Sequence, residues 1–315
     1  MALVTVITPT YNRGYSLGRL FDSLQCQSSK NFEWLIVDDG STDDTATYVR
    51  EFIPLADFTV RYLQKANGGK HTALNYAMPY VDSVLTFIVD SDDTVLPKGI
   101  ETIEHYYHKY CHEENIGVYA FLRTTISRGV VLRMPRDEYV GTYVGERVLK
   151  SRPGDMAEVF LTKALREFPF PEFPGEKFLS EDVVWIPLGF KYQTVFVNIP
   201  IYQFEYLPDG LTRNDKKHKL ASPLGSMMRG KMLMRPECGW KANMKGAIIY
   251  NCYRQATTDE IPLSLLPICT RDKLLLRLFA PAGVWFSRKW RENANGDQMP
   301  GRRIQCPKLQ QHLQK

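Results

Sequence analysis

Along the first hundred residues, apolar positions alternate between short unbroken runs and helical spacing, which predicts strands and helices in turn. Residues 3–8 are a β-branched run ended by Pro9 and predict a buried strand. Ser16 is placed to cap a helix whose apolar face is Leu17, Leu20, Phe21 and Leu24. Residues 32–37 predict a second strand, stopped by Asp38-Asp39-Gly40. Ser41 or Thr42 can then cap a helix, with Asp43 and Asp44 in its electropositive first turn. Residues 60–63 predict a third short strand, and Gly68-Gly69 breaks the chain before a helix over 72–77. Residues 85–89 predict a fourth strand, running into Asp90-Ser91-Asp92-Asp93. Pro97 fits the first turn of a helix carrying Ile100, Ile103 and Tyr107. Such alternation implies an α/β fold with a parallel sheet wound by right-handed crossovers.

In an open parallel sheet, ligands bind at the carboxyl ends of the strands. The polar clusters fall there: Thr8 to Arg13, Asp38 to Ser41, Lys65 to His71 and Asp90 to Asp93. Each alone is ordinary turn chemistry; four on one edge, each after a different strand, predict a site.

In Asp90-Ser91-Asp92 the two carboxylates sit at i and i+2 of an extended chain, so both point to the same side. Carboxylate-only ligation favours hard cations, Mg²⁺ or Mn²⁺, which keep waters and take substrate phosphates as further ligands. Asp93 is either a third ligand or a helix cap for the segment from Thr94 onward.

These residues resemble family 2 inverting glycosyltransferases with the GT-A fold, of the kind that build bacterial polysaccharides. The resemblance is carried by Val6 to Asn12, Val37 to Asp43, Asn67-Gly68-Gly69-Lys70, Asp90 to Asp93 and Ser180-Glu181-Asp182-Val183-Val184-Trp185, and covers about residues 3–215. The stretch from Tyr202 to Thr212 is similar to the segment that comes after this motif in such enzymes. The resemblance implies that Thr8, Pro9 and Tyr11 line the nucleotide base, with Arg13 near the base or diphosphate. It implies that Asp39 accepts a hydrogen bond from the base imide, which suits uracil, with Asp38 nearby. Lys70, or the backbone after Gly69, would approach the diphosphate; Asp90 would contact the ribose or metal-bound water, with Ser91 beside it in the nucleotide site. Asp92, with Asp90 or Asp93, would ligate the metal. Asp182 would be the general base, with Glu181 its rival or an orienter of the acceptor; helix-opening acids are the plain alternative. Pro187 implies that this helix is short or kinked.

The formal charge of +5 hides an asymmetry. Residues 216–315 hold 19 Lys+Arg and 6 Asp+Glu, whereas the part before them is acidic. A catalytic domain over 1–215 and a basic helical extension over 216–315 are expected. In the extension, residues 273–279 and 284–291 combine Leu, Trp and Phe with Arg and Lys, around a Pro281-Ala282-Gly283 break that separates two helical pieces. Such segments suit an anionic membrane surface, packing on the catalytic domain, or a homodimer contact. No nucleic-acid module accompanies the charge, so no nucleic acid is expected. Residues from about Asn293 onward read as a flexible end.

No run of apolar residues reaches membrane-spanning length, and the first ten residues do not form a secretory signal. The six cysteines are scattered and read as reduced thiols of a cytoplasmic protein, peripheral at most. The combined expectation is a metal-dependent inverting transfer from a nucleotide sugar, UDP-linked by the Asp39 reading, to a lipid-linked saccharide. Two other readings compete. One is a haloacid-dehalogenase-type Mg²⁺ phosphatase using Asp90 and Asp92; the other is a non-catalytic nucleotide-sugar-binding protein.

Overall fold

The structure, a computed structural model, describes residues 2–152, 154–205, 215–257 and 266–295. The chain forms two compact units. One is Met1–Pro171 with Glu181–Asn214; the other is Glu172–Ser180 with Asp215–Lys315.

The first unit opens as the periodicity predicts: β1 (Val4–Thr10), α1 (Gly14–Gln25), β2 (Phe32–Asp38), α2 (Thr45–Phe52), β3 (Thr59–Gln64), α3 (Lys70–Ala77), β4 (Leu85–Ile88), then β5 (Thr94–Val95) and α4 (Gly99–Tyr110). Strands β3, β2, β1 and β4 are adjacent and parallel. Every residue of β1 is buried, because helices cover both faces of a parallel sheet. Beyond β4 the sheet becomes mixed. β9 (Ala157–Leu161) runs antiparallel between β4 and β6 (Ile116–Thr125). β10 (Gln193–Gln203) is parallel to β6 and antiparallel to β5. The short strands β7 (Gly129–Val130) and β8 (Glu138–Gly141) pair with β6 and β10. The helices α5 (Thr162–Arg166) and α6 (Asp182–Lys191) complete the unit, and α6 has ten residues with Pro187 inside it. Its main core joins Val4, Val6, Trp34, Ile36, Phe87 and Val89 to Ile100, Ile103, Phe121 and Val159.

Three local expectations are corrected. Helix α1 starts two residues before Ser16, with Arg13 at the N-cap, and Ser16 is buried in the first turn. The Ser16 hydroxyl lies 2.9 Å from the carbonyls of both Arg13 and Ser91, so it ties α1 to the loop after β4. Pro97 precedes α4, whose N-cap is Lys98, and the Pro97 carbonyl accepts the Ser28 N–H at 2.9 Å. On α4 it is Tyr106, not Tyr107, that is buried with Ile100 and Ile103.

The second unit holds α7 (Asp215–Ala221), α8 (Pro223–Leu233), α9 (Gly239–Arg254) and α10 (Thr270–Asn295). Glu176 places Glu172–Ser180 in this unit: its Oε1 and Oε2 accept the N–H groups of Leu224 at 2.7 Å and Gly225 at 2.8 Å. These are orphan donors of the first turn of α8. Helix α10 runs without a break through Pro281, contrary to the expected division into two pieces. A proline inside a helix removes one hydrogen bond and costs about 3 kcal/mol. Burial on both sides of it offsets that cost. Leu275 and Leu276 precede it in the unit's core with Phe286 and Trp290 beyond, and a Cβ at Gly283 would stand 2.4 Å from Asn251 Cβ on α9. The opposite face of α10 shows Leu274, Leu278 and Trp285 to solvent, at spacings of four and seven residues that share one side. Arg277, Arg288 and Lys289 are exposed around them, with Lys289 Nζ 5.0 Å from the Trp285 ring.

Tyr206 to Thr212, Cys306 and the end from residue 296 lie outside the described residues. None of the described cysteines forms a disulfide, and no described helix is long and apolar enough to cross a membrane.

Candidate active site

Strands β1, β2 and β4 deliver three of the predicted clusters to one edge of the sheet, and the loop between β3 and α3 delivers the fourth. At the end of β1, Thr8 points inward and its hydroxyl accepts the Trp34 indole N–H at 2.9 Å. Pro9 is buried in the ladder opposite Val37, whereas Tyr11 is 46% exposed at the mouth of the site. Asn12 adopts φ 52 and clasps the next loop: its N–H donates to Ser41 Oγ, and its Oδ1 accepts the Thr42 N–H, both at 2.8 Å. The Arg13 guanidinium lies over the Tyr15 ring, 5.7 Å from its centroid, and donates to the Tyr15 hydroxyl.

The two acids ending β2 do different work. Asp38 is fully buried, accepting the Ser41 N–H at 2.7 Å and the Tyr62 hydroxyl at 2.5 Å. Burial and this carboxylate push the Tyr62 phenol above its ordinary range. Asp39 gathers the loop after β3. Its Oδ1 accepts Lys65 Nζ at 2.8 Å and the Gly68 N–H at 2.9 Å; its Oδ2 accepts the Gly69 N–H at 2.6 Å and Asn67 Nδ2 at 3.1 Å. Four donors occupy the four lone-pair positions of one carboxylate. The loops approach closely enough that a Cβ on Gly40, at φ +79, would meet Asn67 N at 2.8 Å.

After β4 the chain turns sharply, with the Asp93 N–H donating to the Asp90 carbonyl at 3.1 Å. The turn separates the three acids, so Asp90 and Asp92 do not lie on an extended chain as the i and i+2 spacing predicts. Asp93 points into the unit, where its Oδ2 accepts the Tyr202 hydroxyl at 2.7 Å and Arg123 at 2.9 Å. Burial, reinforced by Asp90, pushes its carboxyl up to about 7. Asp93 is thus committed to β6 and β10. Asp90 and Asp92 remain as the carboxylate pair, and burial with the neighbouring Asp90 charge raises the Asp92 carboxyl above its usual range. Ser91 is buried and offers its carbonyl to Ser16.

Lys70, the first residue of α3, stands 2.5 Å from Asp90 Oδ1 and 2.7 Å from Glu181 Oε1. Burial works against the Lys70 charge, but the two carboxylates outweigh it and hold its pKa above the ordinary range. Burial likewise opposes the Asp90 charge, and Lys70 and then Arg123 bring its pKa below the usual carboxylate range. Glu181 occupies the N-cap position of α6 and Asp182 is its first residue, with Oδ1 buried. The structure therefore brings Asp90, Lys70 and Glu181 together, with Asp92 two residues from Asp90 and Asp182 next to Glu181 in the chain.

No group of three or more His, Cys, Asp and Glu side chains suited to a metal ion occurs among the described residues. The donor set present, Asp90 with Asp92 close enough for its charge to raise the Asp92 carboxyl, suits a hard cation that takes its remaining ligands from water and phosphate. It does not supply a closed all-protein cage.

Sequence reasoning missed Arg123 and Glu158. Arg123 is held over the rings of Tyr202 and Phe204, 4.2 and 4.7 Å from their centroids. Glu158, on β9, has its carboxyl pushed up to about 8 by burial, against the pull of Arg147. Only the pairing of β6, β9 and β10 brings these residues near the loop after β4; no local pattern marks them.

The fold is the GT-A fold, a mixed sheet with flanking helices, and solved structures share it. The Staphylococcus aureus protein TarS (residues 1–349), crystallised in complex with UDP-GlcNAc, superposes with a TM-score of 0.60 at 16% identity, covering 95% of this chain and 93% of that one. The mannosyltransferase PcManGT from Pyrobaculum calidifontis, in complex with GDP-Man and Mn²⁺, gives 0.54 at 17% identity, over 94% and 86%. Residues 5–148, a little under half of the chain, match the model of glycosyl transferase family 2. Glycosyltransferase GlyA of Streptococcus pneumoniae serotype 4 is 32% identical over 116 residues, 37% of this chain but 16% of that protein's length.

Proposed function

We propose that this chain is a metal-dependent, inverting glycosyltransferase that moves a sugar from a nucleotide sugar, most simply a UDP-sugar, to a saccharide acceptor. The observation that carries this reading is the meeting of Asp90, at the carboxyl end of a parallel strand and two residues before Asp92, with Lys70 and Glu181. Both solved neighbours hold a nucleotide sugar, and one of them Mn²⁺.

In this reading Tyr11 and Arg13 flank the base, and the loops after β1 and β2, latched by Asn12, form its cradle. Asp39 can reach a base imide only by exchanging one of its four present donors, so base contact and the setting of the Lys65–Gly69 loop are one event. Asp90 and Asp92 would hold Mn²⁺ or Mg²⁺, which when bound neutralises charge building on the departing diphosphate. Asp182 takes the proton of the acceptor hydroxyl as the sugar transfers, and Glu181 orients that acceptor. One base is enough for inversion by direct displacement. The exposed Leu274, Leu278 and Trp285 with their basic flanks would hold the protein against an anionic membrane, where a lipid-linked acceptor of surface-polysaccharide synthesis resides.

The phosphatase reading needs Asp90 as a free nucleophile, whereas its carboxylate is ion-paired with Lys70. The deciding experiment is calorimetric titration with UDP, GDP, CDP and dTDP, each with and without Mn²⁺. Metal-dependent binding strongest for UDP is expected; binding of none under either condition overturns the donor site.

A further inference from the structure

Lys70 is rooted at the first turn of α3 and ends between two carboxylates from different parts of the chain, Asp90 after β4 and Glu181 before α6. An ammonium is a compact point charge on a flexible stem, with three donors to share. It occupies Asp90 Oδ1, an oxygen that an external cation bound by this carboxylate would compete for. Asp90 also feels Arg123, but that guanidinium is fixed by stacking on Tyr202 and Phe204 and by its bond to Asp93. Lys70 is the cation that can swing away. It is also within reach of water, with 27% of its side-chain surface exposed against 35% for Asp90.

We infer that Lys70 is a built-in competitor of the divalent cation: it neutralises Asp90 and Glu181 together, and a metal ion entering at Asp90 displaces it and releases Glu181. The inference rests on the proposed metal-dependent donor site. A divalent ion placed beside an undisplaced ammonium would face like-charge repulsion at contact distance, so the two occupy Asp90 in turn. The displaced ammonium needs a new anion, and a nucleotide diphosphate supplies one. Metal and nucleotide therefore help each other bind, by the same factor in both directions. The acceptor-side carboxylate is then freed only when the donor is in place, so one side chain orders the two halves of the site.

The test is direct Mn²⁺ binding to the full chain, followed by the paramagnetic signal of free Mn²⁺, with and without UDP, for the wild type, Lys70→Met and Lys70→Arg. Circular dichroism checks that each variant is folded. The wild type and Lys70→Arg should bind Mn²⁺ alone weakly and gain strongly from UDP. Lys70→Met should bind Mn²⁺ alone about tenfold more tightly than wild type, because the unpaired carboxylates now attract the ion, and its gain from UDP should shrink by a similar factor. UDP-coupled binding in the wild type with no tightening in Lys70→Met would overturn the role of Lys70 while leaving the metal site standing. Absence of Mn²⁺ binding in all three proteins, with and without UDP, overturns the metal site and this inference together.

Discussion

The hydroxyl of Tyr202, on β10, donates to Asp93 Oδ2 at 2.7 Å and accepts the Asp90 N–H at 3.1 Å. One phenol oxygen thus fixes both ends of the acidic turn, from a strand more than a hundred residues later in the chain. Tyr202→Phe should cost about 1–3 kcal/mol in urea unfolding, since it takes one of two donors from the buried Asp93 carboxyl and orphans the Asp90 N–H. The Asp93 carboxyl, already near 7, should titrate higher still when its donor is lost. An unchanged unfolding midpoint would count against this role.

Asp39→Asn replaces a four-fold acceptor with a group that has one accepting oxygen, beside Lys65 and two backbone donors. Thermal unfolding should show a loss of about 2–4 kcal/mol, and titration with UDP should show weaker binding, because the loop from Lys65 to Gly69 loses its anchor. Normal nucleotide affinity in a destabilised variant would separate the loop's stability from the base site.

Asp182→Asn keeps the shape at the start of α6 and removes the base. Turnover should fall by about 10²–10⁴-fold with donor affinity retained. Near-normal turnover would return the role to Glu181. If the wild type itself binds donor and never turns over with any acceptor, the non-catalytic binding reading gains.

Glu176 gives a pH signature in the second unit. Burial pushes its carboxyl up to about 7 from an ordinary 4.5, against the pull of the Leu224 and Gly225 N–H groups. A folded-state value above the unfolded one means that folding favours the proton. Its contribution is complete below about pH 4.5 and fades as pH rises through 7. The stability gap between the wild type and Glu176→Gln should therefore narrow by up to about 3 kcal/mol between pH 4.5 and 8, read from urea midpoints. A gap independent of pH would rule this out.

The exposed face of α10 predicts binding to phosphatidylglycerol vesicles that weakens with salt and is lost in a Leu278→Ser, Trp285→Ser double variant. Sedimentation with vesicles measures it, and light scattering detects the alternative. A wild type that ignores vesicles but falls from dimer to monomer on the same substitutions would make this face a homodimer contact.

Much of the first unit is legible because β1, β2 and β4 are largely buried on both faces and so read as short runs rich in apolar and β-branched residues. The strand-end clusters follow from that alternation alone. What the sequence hides is the partnership of each polar group. Asp90, Asp92 and Asp93 look equivalent in the string, yet a turn sends Asp93 inward to Arg123 and Tyr202 while Asp90 meets Lys70. Ser16 has the chemistry of a cap but the position of a buried link, because the helix gains an extra turn from Gly14. Pro281 has the chemistry of a break, and burial of Leu275, Leu276 and Phe286 around it overrides that propensity.

Glu176 has a consequence for how the chain is made. Its backbone partners in α8 are 48 and 49 residues further on. At about 5–20 residues per second, a nascent chain carries Glu176 for several seconds before the donors that receive it have been synthesised. Glu181 and Asp182 follow within six residues, so the acidic pair proposed for catalysis leaves the ribosome while its preceding segment is still waiting for a partner. The contact of Glu176 with α8 is thus made late in biosynthesis, and a chain stopped short of Leu224 carries Glu181 and Asp182 without it.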